Sequence, residues 1–197
     1  MNSKLTESIF RSLVQLYYPR NISATTDYEK YIQDPRFLGL KSQINSTVEL
    51  VNRTNLREFL LKKFDNSKML VGVEDVTNIE MDKCLTFKIE YIEETSLHQL
   101  YLTMSLIVPF YYTYVLCNRV KLNPYKWLEL PKRDLIVENN IYCNQITILN
   151  QIVEMETNYF RFPDFLINKT IPEISYAGND FGEFTFFNAF FVDDLKL

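Results

Sequence analysis

Glycine is scarce here, with four residues in a chain of 197. Neither G-x-G-x-x-G nor G-x-x-x-x-G-K-[ST] occurs, so the glycine-rich loops that cradle nucleotide phosphates are missing. Histidine is scarcer still. His98 stands alone, which excludes zinc sites built from several histidines. G-x-S-x-G and H-E-x-x-H are absent as well. The three cysteines, Cys84, Cys117 and Cys143, are odd in number and lack C-x-x-C spacing. They read as buried, reduced thiols of a cytosolic protein and not as a disulfide framework. One of them paired with His98 would be the only route to a Cys-His nucleophile, and nothing beside any of the three marks an activated thiolate. From this inventory no cofactor and no metal is expected.

Charge is missing over one long stretch. No Asp, Glu, Lys or Arg lies between Glu94 and Arg119, a length that would cross a bilayer as a helix. The spacing argues otherwise. His98, Leu100, Leu102, Met104, Leu106 and Val108 alternate with Gln99, Tyr101, Thr103, Ser105 and Ile107, a period of two that belongs to an extended chain. Upstream, "CLTFKIEYIEE" sets Leu85, Phe87, Ile89 and Tyr91 against Thr86, Lys88 and Glu90, the pattern of a half-buried strand. Two such runs meeting at residues 93–96 predict an antiparallel hairpin. Pro109 suits a bulge or an edge position, and the Tyr- and Val-rich run after it continues the sheet. A membrane span is therefore not expected. The N-terminus lacks a cationic region followed by an unbroken apolar segment, so no secretory signal is visible and a cytoplasmic location is expected.

The first 66 residues read as helical. Leu5, Ile9, Leu13 and Leu16, with Phe10 and Tyr17, recur at three- and four-residue steps and predict a core-facing stripe ending before Pro19. "TDYE" (26–29) and "STVE" (46–49) fit the capping-box pattern. A further helix is expected over residues 55–64, strands over about 70–122, a short strand within 127–138, and a late helix over 145–157. The expected class is α+β: N-terminal helices followed by a largely antiparallel β-sheet, with a late helix packed on one face. One domain is expected over 1–197, with 1–66 mainly helical and 70–197 containing the sheet.

What the chain has in abundance is aromatics, 15 Phe and 13 Tyr. Nine of the phenylalanines fall between Phe160 and Phe191, where "FGEFTFFNAFFVDD" reads as a closing strand with a turn. Core packing is the first explanation for them, since each buried ring removes a large apolar area from water. A recognition surface is the second. Charge adds direction. Residues 1–70 carry 11 basic and 7 acidic side chains, residues 71–159 carry 7 and 12, and residues 160–197 carry 3 and 6. The acidic side is thus the sheet and tail, which disfavours nucleic acid and suits a basic protein partner drawn by charge and held by aromatic anchors. The acids Glu74, Asp75, Glu80 and Asp82 do not follow the spacing of a calcium loop and read as a solvated loop.

These features lead to a non-enzymatic interaction protein whose partner surface comprises Asp180, Glu183, Phe184, Phe187, Asp193 and Asp194. The small, acidic, Asn/Ile/Phe/Tyr-rich character is similar to that of many bacterial immunity proteins, which neutralise toxins, though this is a likeness of composition that no motif carries. The first alternative is a small-ligand-binding protein or an enzyme without a recognisable motif, with an aromatic pocket lined by Tyr101, Tyr111, Tyr112, Tyr114 and Trp127. The second is a structural subunit of a larger assembly, its exposed aromatics covered by neighbours.

Overall fold

The computed structural model describes residues 3–50, 53–64, 70–80, 82–93, 96–123, 126–129 and 143–192. Helices α1 (Ser3–Tyr17), α2 (Tyr28–Gln33), α3 (Pro35–Leu50) and α4 (Arg53–Phe64) come first. Strands β1 (Leu70–Asp75), β2 (Cys84–Glu93), β3 (Ser96–Ser105), β4 (Phe110–Asn123) and β5 (Lys126–Glu129) follow, then α5 (Cys143–Glu156), β6 (Phe160–Arg161) and the short helix α6 (Phe186–Phe190). This is the α+β arrangement read from the sequence. The sheet runs β1-β2-β3-β4-β5 with every pair antiparallel, and β6 lies parallel to the start of β4. The uncharged stretch is therefore two strands, β3 and β4, separated by a turn at residues 106–109. Among the described residues no helix is long and apolar enough to cross a membrane.

Alternation along β2 and β3 builds one face of the sheet. Leu85, Phe87 and Ile89 sit opposite Met104, Leu102 and Leu100, and all six are buried. Leu60 of α4 and Leu149 and Val153 of α5 close over them, so the late helix packs where a single amphipathic face requires. The other row is not left in water. Thr86, Thr103 and Ser105 are as buried as their apolar neighbours, because the C-terminal aromatic segment covers that end of the second face. Phe162, Phe184, Phe186, Phe187, Phe190 and Phe191 are all core, together with Phe10, Val14 and Tyr18 from the N-terminus. Thr103 remains satisfied by donating to the Tyr112 carbonyl at 3.2 Å.

Several local readings are corrected. In α1 the buried face is Thr6, Phe10 and Val14, while Leu5, Ile9 and Leu16 are exposed. The helix turns its aromatic side toward the phenylalanine cluster, with the Phe10 ring 4.8 Å from Phe110 and 5.2 Å from Phe162. Neither "TDYE" nor "STVE" caps a helix. Asp27 precedes α2 without a side-chain cap, and Ser46 lies inside α3, donating back to the Gln43 carbonyl at 3.0 Å. The start of α3 is set by Asp34 and Pro35 instead: the carboxylate accepts from the Arg36 amide at 2.9 Å, and proline takes the first helical position. The C-terminal run forms no closing strand but α6, whose Thr185 and Asn188 make a reciprocal capping box. The end of the proposed 127–138 strand lies beyond the described residues, as β5 is followed to Glu129.

Candidate functional site

Two places combine exposed or recessed space with chemically capable side chains, and the C-terminal segment shapes both. Its first part is tied down at both ends. Asn21 donates its amide to the Glu173 carbonyl at 2.9 Å, Ile171 donates to Phe184 at 2.7 Å, and Phe186 donates to Lys169 at 3.0 Å. Between these ties Tyr176 and Asn179 exchange backbone hydrogen bonds of 3.1 and 2.9 Å, closing a turn. The chain then reverses through Gly178 (φ 80°) and Gly182 (φ 89°), backbone conformations that side chains with a Cβ rarely adopt. Glu183 donates to the Asp180 carbonyl at 3.0 Å.

The outcome is a small, anchored projection that holds Asp180, Phe181 and Glu183 in solvent, with Phe181 45% exposed. Asp180 and Glu183 therefore stand on the surface as the sequence suggested. Phe184 and Phe187 do not. They are 0% and 1% exposed, and the Phe187 ring lies 4.9 Å from Phe191 and 5.7 Å from Tyr112. The aromatic beside the acids is Phe181, and the signal for it was Gly182 and the flanking acids, which mark a turn. Asp193 and Asp194 lie outside the described residues. A second acid-lined surface, an open depression of about 730 Å³ beside α2, is bordered by Asp27, Glu29 and the exposed Tyr28.

Of the tyrosines assigned to an aromatic pocket, Tyr101, Tyr112 and Tyr114 gather on one face of the sheet, and Tyr111 does not join them. Tyr101 and Tyr114 are cross-strand partners with rings stacked at 5.4 Å, and Tyr112 and Tyr114 pack edge-on against Phe187. Tyr111 points to the opposite face and donates to the Glu154 carboxylate at 2.8 Å. Adjacent strand positions leave opposite sides of a sheet, so residues 111 and 112 cannot share one wall. Trp127 lies on β5 opposite Lys121.

A more recessed site lies elsewhere. At the start of β2, Lys83 is held through its backbone, donating to the Phe191 carbonyl at 3.0 Å and accepting from Leu106 at 2.8 Å. Its side chain is driven inward, 1% exposed, with Nζ 4.8 Å from the centre of the Tyr176 ring. Burial pushes this amine down to about 7, against the opposing pull of Cys84 and Asp82. It borders a cavity of about 280 Å³ between α3 and the β1–β2 connection, walled by Leu40, Ile44, Asn45, Ile79 and Asp82, with Tyr176 at the inner side. Close by in the same aromatic cluster, the Tyr31 hydroxyl is buried without a hydrogen-bond partner.

Neighbouring Cys84 is the converse case. Burial pushes its thiol up to about 12, and its sulfur lies 3.4 Å from the Thr86 hydroxyl, so it is an inert thiol at neutral pH. His98 pairs with Tyr91, seven residues along β2 from Cys84, roughly 23 Å at the rise of a strand, too far for a catalytic pair. Asp75 is committed to Arg53 at 2.7 Å and Glu74 to Lys88 at 2.6 Å. Among the described residues no group of three or more His, Cys, Asp or Glu is placed to hold a metal ion. Comparison of the chain with protein-family models, with curated proteins and with solved structures finds no match in any of the three.

Proposed function

We propose that the chain is a non-enzymatic, cytosolic protein-binding protein that recognises a basic partner through the projection at residues 180–183. The observation that carries this reading is a half-exposed phenylalanine held between two solvent-facing carboxylates, Asp180 and Glu183, on a turn anchored to the core. The acids steer a cationic surface, and a preordered ring anchors it with little ordering cost. The net negative charge of the sheet and tail points the same way. Neutralisation of a basic bacterial toxin is one concrete form of the activity.

The test is capture from the source organism with wild-type bait and with a D180K/E183K bait, identification of the retained protein, then association kinetics at low and high salt. A basic partner is expected, with an on-rate reduced about tenfold by the double charge reversal at low salt and the difference shrinking at high salt. Phe181→Ala is expected to act instead on dissociation, by about 2 kcal/mol if the ring is a central anchor. Unchanged on- and off-rates for all three substitutions would sink the proposal.

A further inference from the structure

The cavity beside Lys83 has no part in the protein-binding reading, yet it is the most chemically specific place in the fold. A lysine side chain is rarely sealed away from water, because the ammonium loses its hydration. Here the main chain of Lys83 is fixed at the seam between the C-terminal segment and the sheet, its amide donating to Phe191 and its carbonyl accepting from Leu106, and the side chain is 1% exposed. Beside this buried amine is space: about 280 Å³, just below the range of typical ligand sites of about 300–1,000 Å³. Its walls at Leu40, Ile44 and Ile79 are apolar. The charged or titratable groups facing it are Lys41 from α3, Glu80 and Asp82 from the β1–β2 connection, and Tyr176 from the C-terminal segment, while Cys84 follows on β2.

We propose that the ε-amine of Lys83 is a nucleophile that condenses with a small neutral aliphatic aldehyde admitted to this cavity, forming an imine. The amine lone pair attacks the carbonyl carbon, a C–N bond forms, and the C=O π pair moves to oxygen, which takes a proton. Loss of that oxygen as water, with the two hydrogens coming from the amine, leaves C=N. No electron is gained or lost overall. Glu80 and Asp82 line the space. The same carboxylates disfavour an anionic carbonyl compound, and the apolar wall receives the alkyl chain.

The chemistry is selective because the form of the amine differs. An ordinary lysine near pKa 10.4 is roughly 0.04% free base at pH 7, whereas Lys83, pushed down to about 7, is close to half free base. The experiment is reductive trapping of the intact wild-type protein with propanal and sodium cyanoborohydride at pH 7, followed by peptide mapping. Lys83 is expected to acquire a propyl group at least about tenfold faster than the exposed Lys30, a conservative share of the free-base advantage. Its labelling rate should rise with pH and level off above about 7. Ile79→Phe, placed on the cavity wall, should slow labelling of Lys83 and leave Lys30 unchanged. Labelling of Lys83 no faster than Lys30 overturns the proposal. So does rapid labelling that Ile79→Phe does not slow, since the amine would then be reached by opening of the chain and not through the cavity. Neither outcome touches the projection at residues 180–183, whose test is a binding rate.

Discussion

A sealed lysine leaves a signature in the pH dependence of folding. The Lys83 amine has an ordinary value of 10.5 and is pushed down to about 7 in the folded chain. Above 10.5 both states are neutral, and its ionisation adds no cost. As the pH falls from 10.5 toward 7, the unfolded chain binds a proton that the folded chain refuses, so stability is lost over that window. Below 7 the cost stays at its full value. Lys83→Met keeps the length of the side chain and removes the charge. It is expected to be more stable than wild type at pH 7, with the gap narrowing by pH 9, as read from urea midpoints. Equal midpoints at both pH values would contradict the burial. Phenylalanines divide as sharply. Phe187→Ala should cost about 3–5 kcal/mol by emptying the core, whereas Phe181→Ala should stay within about 0.5 kcal/mol. The sequence displayed nine clustered rings without separating these two. What separates them is a local reversal at Gly182 and the capping of α6 by Thr185, where asparagine stands in the position that a capping box usually gives to Glu or Gln.

Strands were easier to read than helices, for a reason visible in their periodicity. Residues 85–91 and 98–105 each alternate, and a one-residue slip would invert every side chain, so the β2–β3 register from Cys84 opposite Ser105 to Glu93 opposite Ser96 follows from pattern together with the turn expected at residues 93–96. Helix α1 is ambiguous, because leucines and isoleucine line one side while Phe10, Val14 and Tyr17 line the next. Only the tertiary partner decides between them, and that partner is an aromatic cluster to which Phe110, Phe162 and Phe190 contribute, residues far along the chain from Phe10. The edge of the sheet was also hidden. β1 is an edge strand, and α4 guards it: the Arg57 guanidinium donates to the Val73 carbonyl at 2.8 Å, and Arg53 pairs with Asp75 at 2.7 Å. Covered edges resist pairing with other chains. Arg57→Ala should weaken this cover by about 1 kcal/mol, equivalent to roughly fivefold faster amide exchange across β1. Hydrogen exchange with mass spectrometry would show it, with β3 as the unchanged reference. An equal response of β1 and β3 would mean that the contact does not act locally.

At the scale of the molecule, the sheet is a shared floor for two hydrophobic clusters. On one side Leu149, Val153 and Leu60 rest on Phe87 and Leu102; on the other, Phe187, Phe190 and Phe191 lie over the Cys84 end of the second face, with Tyr112 and Tyr114. Ile44 of α3 packs against both clusters, so the helical first third of the chain is not independent of the strands that follow it. Loss of the sheet removes the floor from each cluster at once, and loss of either cluster exposes a buried row that includes Thr86 and Thr103 or Leu100 and Leu102. Coupled burial of this kind predicts one cooperative transition. Leu149→Ala on one side and Phe190→Ala on the other should each lower the midpoint of that same transition, by amounts corresponding to about 2–5 kcal/mol. Backbone circular dichroism and tyrosine fluorescence should trace it coincidentally in both variants. Two separated transitions, one shifted only by Leu149→Ala and the other only by Phe190→Ala, would show that the faces fold apart and that the sheet does not couple them.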